Sequence, residues 1–213
     1  MNNKKASENF SIALGLFDYI NPIFYTITTF TIIKNMRTTM DKPLLIVFVL
    51  GAIISLIFGF SIPTVKFIVG LGKMKFKMPV NLVFYVNTGI LISGIALFNS
   101  VLNIPIAIFV SVLVILIGLL IYIVYKTKKF NTTAVLTGAI GYILIYTSLI
   151  TLSIKTGITT SVVLYCIAIF LFVSLVLIGI KGNLKDARVH WVIEICNVIC
   201  QGSVAIATVL LFK

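Results

Sequence analysis

Near its C-terminal end the chain reads HWVIEICNVICQG, from His190 to Gly202. The polar members His190, Glu194, Asn197 and Gln201 recur at intervals of four and three, so on a helix they form one face. Val192, Ile195, Ile199 and Ala205 or Ile206 make up the opposite face. An imidazole, a carboxyl and two amides in one line can hydrogen-bond a polar solute, hold a cation or carry a proton. They can equally serve as polar glue between helices. A second set stands in LFDYINPIFY, where Asp18, Asn21 and Tyr25 share a face at i, i+3 and i+7. Pro22 has no N–H, so the carbonyl of Asp18 loses its helical donor and a kink is expected beside the carboxylate. The other reading is that Asp18 snorkels or caps at the membrane edge. Asn87, Tyr142 and Tyr146 complete the candidates, and the two tyrosines stand one turn apart, to stack on a ring or simply to pack.

These residues exclude more chemistry than they complete. One histidine rules out a His-rich zinc site, and His190 with Glu194 offers two ligands where three or four are usual. No metal and no cofactor are expected. No phosphate-binding loop and no nucleophile elbow stand in the chain. A lipid-processing enzyme built on His190 and Glu194 needs a third polar partner, for which Asp186 is the nearby candidate.

The elements that must position these groups follow from composition. The chain has 213 residues, 60% of them hydrophobic and 10% charged, with a mean hydropathy of +1.19. Soluble domains carry about a quarter charged residues, so this is an all-α polytopic membrane protein, helix being the only unclosed backbone that lipid tolerates. Apolar runs long enough to cross fall at roughly 10–33, 43–63, 79–98, 104–125, 133–154, 158–180 and 189–212, which predicts seven transmembrane helices. The segment Thr64 to Lys73 reads as interfacial or re-entrant. Residues 1–9 form a polar tail before a single membrane domain spanning 10–213, and no removable signal peptide is read in them.

The +12 net charge sits in the breaks between runs, facing lipid headgroups, with no aromatic-interleaved basic segment for nucleic acid. Twelve of the seventeen Lys and Arg, Lys66 among them, fall on the side of the N-terminus, which predicts a cytoplasmic N-terminus in the cell (inner) membrane. Cys166, Cys196 and Cys200 lie in apolar runs and read as small core residues rather than a disulfide framework.

An internal repeat is expected. FYTITTFTIIKNMRTT (Phe24 to Thr39) over IYTSLITLSIKTGITT (Ile145 to Thr160) gives six identities in sixteen positions. Asn87 then falls on Asn197, and Ser93 on Ser203. The pattern is a 3+1+3 parallel pseudo-repeat, with halves 10–98 and 133–213 around a linker helix 104–125. With YTSLITLSIKTGITT, then IGIKGNLKD, then a helix with a central Asn197, the chain resembles the SWEET and PQ-loop superfamily of small transporters. It departs from that pattern in having no Pro-Gln pair and in placing Leu149 after Ser148, where the family has proline. The resemblance implies a sugar- or metabolite-like solute, with Asn87 and Asn197 as paired pocket asparagines.

The expectation is a small transporter or facilitator for a polar solute, coupled or not to a proton or cation. Its substrate would meet Asn87, Asn197, Gln201, Tyr146 and Asn21, and Asp18, Glu194 and His190 would handle the ion. The partners are membrane lipids and the solute, with a homo-oligomer compatible. The alternative is a membrane-embedded sensor, effector or assembly subunit whose polar stripe only joins helices.

Overall fold

A computed structural model describes residues 11–72, 80–105, 130–181 and 187–213, together with residues 111, 115, 118, 119 and 122. The tail 1–9, most of the linker run 104–125, the basic connections after Gly72 and before Phe130, and Asp186 lie outside the described residues. The described residues form helices α1 (Ile12–Asp18), α2 (Ile20–Met36), α3 (Lys42–Gly70), α4 (Val80–Leu102), α5 (Phe130–Thr156), α6 (Thr159–Lys181) and α7 (Ala187–Leu211). α3 to α7 are each long and apolar enough to cross a membrane, and no strand occurs among the described residues.

The helix ends follow local chemistry. Ser11 caps α1 by accepting from the Leu14 amide at 3.2 Å. The first apolar run is interrupted at Tyr19, three residues before Pro22, and so divides into α1 and α2. α5 ends at Gly157, whose φ of 75° suits glycine, with Ile158 N–H bonded to Ser153 and Gly157 N–H to Ile154. That reversal lets α6 start at Thr159. α3 departs from expectation. It runs through Pro63 to Gly70, so Thr64 to Gly70 is helix rather than an interfacial stretch.

The helices pack in a ring. α3 lies between α1 and α4, α4 meets α5, α5 meets α6, α6 meets α7, and α7 closes on α2. Lipid is as apolar as leucine, so small residues and hydroxyls supply the attraction between helices. Gly51 and Ser55 on α3 face Gly89 and Ser93 on α4. Ser55 donates to the Val86 carbonyl at 2.8 Å and Ser93 to that of Phe48 at 3.1 Å. A Cβ on Gly89 would stand 2.5 Å from the Gly51 carbonyl oxygen, and one on Gly141 would stand 2.7 Å from the Leu91 nitrogen. Outward faces carry exposed Phe30, Ile154 and Phe170, as a lipid-facing surface requires. Cys200 is buried, but Cys166 is exposed and Cys196 half-buried, so only one of the three behaves as a core residue.

Replacement of Gly89 by Val should force α3 and α4 apart, costing about 2 kcal/mol or more by overpacking. Denaturant unfolding in detergent, compared with Gly118→Ala as a substitution meeting no neighbour, measures it.

Candidate functional site

The break between α1 and α2 leaves Asp18 at the last position of α1 and Asn21 in the first turn of α2, both facing α7. Two turns into α7, Glu194 points back at them. The cation between the two acids is Lys66, delivered by the last turns of α3. Its ammonium lies 2.8 Å from Asp18 Oδ2 and also donates to Glu194 Oε1. The Asn21 amide bridges the same acids, donating to Asp18 Oδ1 at 3.1 Å and to Glu194 Oε2 at 2.9 Å. Asp18, Lys66 and Glu194 are 6%, 5% and 4% exposed. Three helices from distant parts of the chain therefore meet at one buried ion cluster. Insertion of each such group alone costs a few kcal/mol, which their mutual pairing offsets.

Above the cluster lies a cavity of about 120 Å³. Asp18, Asn21 and Tyr25 line one wall, with Ser55, Gly59 and Pro63 beside them; Tyr142, Asn197 and Gln201 close the other. Pro22 and Pro63 both border it, and a Cβ on Gly59 would sit 3.7 Å from Pro22 Cβ, so the two proline sites lie against each other. Each proline removes a donor, from the carbonyl of Asp18 and from that of Gly59. Gln201 donates to the Tyr142 hydroxyl at 3.0 Å. Asn21 Oδ1 and the Tyr25 hydroxyl are buried without a hydrogen-bond partner.

The candidates read from the sequence divide accordingly. Asp18, Asn21 and Glu194 meet in the cluster, and Asn197 and Gln201 share the cavity with Asp18 and Asn21. Asn87 does not border the cavity. It donates to the Ala134 carbonyl at 2.7 Å and fills the space over Gly138, joining α4 to α5. Tyr146 is likewise away from the cavity, its hydroxyl 3.6 Å from Cys200 Sγ. It is Tyr142 that reaches the lining. His190 is buried in the first turn of α7 and does not line the cavity.

Lys66 was missed. Read as a charge in a cytoplasmic connection, it is instead a buried partner of both acids, and it drops out of the orientation count. The expected span stops at residue 63, whereas α3 continues to Gly70, and the signal for continuation is the apolar stretch FIV between Lys66 and Gly70. No family model matches this chain, and neither curated proteins nor solved structures show a match.

Lys66→Met should leave two carboxylates without a buried counter-charge and destabilise the protein by about 3–5 kcal/mol. Adding Asp18→Asn and Glu194→Gln to the same chain should recover most of that loss. Unfolding curves for the single and triple variants in detergent decide it, and equal stability for the two would mean that the charges are not coupled.

Proposed function

We propose that the chain is a small transporter or facilitator that moves a polar solute across the cell membrane. Its seven spans would follow the 3+1+3 plan, with the N-terminus in the cytoplasm. The observation carrying this reading is the cavity whose wall gathers Asn21, Tyr25, Tyr142, Asn197 and Gln201 between helices. Polar groups inside a bilayer face either a partner or a water-filled space. Asn197 and Asn21 both line the space. Eleven of the sixteen remaining basic residues still fall on the N-terminal side once Lys66 is set aside, so the charge bias supports the orientation.

A second reading has its own support. Glu194 is engaged by Lys66 and Asn21, as expected of a sensor or assembly subunit whose polar groups only hold helices together.

Gly59→Leu separates the two. A Cβ at this position meets Pro22 at ordinary contact distance, so a larger side chain grows into the cavity whose wall Gly59 forms, and none of the ionic residues is replaced. Proteoliposomes holding the wild type should take up at least one member of a panel of small polar solutes above empty vesicles. Gly59→Leu should cut that uptake on the order of tenfold, and Asn197→Ala should weaken its concentration dependence. Absence of uptake for the whole panel, or unchanged uptake in both variants, refutes the transport reading.

A further inference from the structure

The lining of the cavity has a chemical bias. Two of its lining groups are unpartnered, the Asn21 Oδ1 acceptor and the Tyr25 hydroxyl, which can donate or accept, and Pro22 and Pro63 withhold the helical donors from the carbonyls of Asp18 and Gly59. Asp18 borders the same space, while no lysine or arginine among the described residues does. Asn21 is 8% exposed and lines the cavity, and its Oδ1 is buried without a donor. Of the neighbouring cluster's two acids and one ammonium, Asp18 is the member that borders the cavity.

A wall with a carboxyl group and unpaired oxygens but no cation among the described residues is a poor site for anions and is complementary to a cation that carries N–H donors. The chain supplies an example of the match, since Asp18 and Glu194 already hold the primary ammonium of Lys66. Size narrows the class further. A cavity of about 150 Å³ admits benzene, so the 120 Å³ here suits a solute of roughly six heavy atoms or fewer. A hexose exceeds that. A divalent metal is also a poor match, because Asp18 is the one carboxylate among the described residues on the wall, where such an ion takes six or more oxygen ligands.

We propose that this cavity binds a small organic ammonium ion, its charge set against Asp18 and its N–H groups on Asn21 Oδ1 and the freed carbonyls. The role of that ion as transported solute rests on the transport reading above; the binding site itself stands on the cavity and its lining.

The test uses the full chain purified in detergent and follows thermal unfolding by tryptophan fluorescence. Methylammonium chloride is compared with sodium chloride and potassium chloride at equal ionic strength, with acetamide as a neutral donor. Methylammonium should raise the melting temperature saturably and beyond either alkali salt, and acetamide should not. Asp18→Asn keeps the Lys66–Glu194 pair, with a balanced charge, and should raise the half-saturating concentration at least on the order of tenfold. Gly59→Leu, which leaves all the ionic groups in place, should abolish the response and covers the case in which Asp18→Asn does not fold.

An equal shift with sodium or potassium overturns the proposal. So does an unchanged response in Gly59→Leu, or the absence of any methylammonium-specific shift. Saturable binding without uptake in proteoliposomes leaves this site standing and removes the transport role. Uptake of some other solute with no methylammonium response does the reverse.

Discussion

The described bundle depends on one ammonium group. Lys66 reaches Asp18 at the end of α1 and Glu194 on α7, and Asn21 ties the two acids from the other side. In a membrane there is little hydrophobic gain in bringing helices together, so a contact of this kind weighs more than it would in water. It also fixes geometry. An ion left without its partner costs several kcal/mol in a dry site, and so α1, α3 and α7 are held in the one register that satisfies all three charges. Gly15 and Gly70 make this close approach possible: a Cβ on either would fall 2.7 Å from the backbone of the facing helix.

The rest of the ring is held by smaller means. Ser55 and Ser93 donate to carbonyls across α3 and α4, Asn87 donates across to α5, and Ser161 donates to the Ala207 carbonyl between α6 and α7. Many other hydroxyls, such as Thr26, Thr28 and Thr29, return to their own helix at the carbonyl one turn back. This matters for interpreting polar residues in the bundle. Once such self-bonding and cross-helix bonds are set aside, the unmatched groups concentrate beside the cluster, at Asn21 and Tyr25.

Some of this arrangement was legible in the sequence, and the residues explain why. The two faces of α7 follow from periodicity alone: Val192, Ile195, Ile199 and Ile206 are exposed as a lipid surface, while His190, Glu194 and Gln201 are buried. The interruption near Pro22 follows from a missing donor. Lys66 was not legible, because its partners lie 48 and 128 positions away, and a lysine just past a proline reads locally as a membrane-edge charge. Asn87 was misplaced for a related reason. An amide suits a pocket or a helix contact equally, and the choice is made by Gly138 on the facing helix, which leaves room for it. Tyr142 and Tyr146 differ by one turn, and only the position of Cys200 and Gln201 on α7 decides which reaches the cavity.

The polar face of α7 is therefore neither pure glue nor pure lining. It changes character within a single turn. At Glu194 every approach is taken by Lys66 and Asn21, and at Asn197 and Gln201 the wall opens. The change coincides in depth with Pro22, Gly59 and Pro63, where α2 and α3 present proline rings and a glycine instead of longer side chains. A proline cannot complete the helical bond beneath it, and a glycine has nothing to reach across with. The gap between helices persists there because the backbone chemistry of two helices keeps it from closing, directly beside the charges that hold those helices in place.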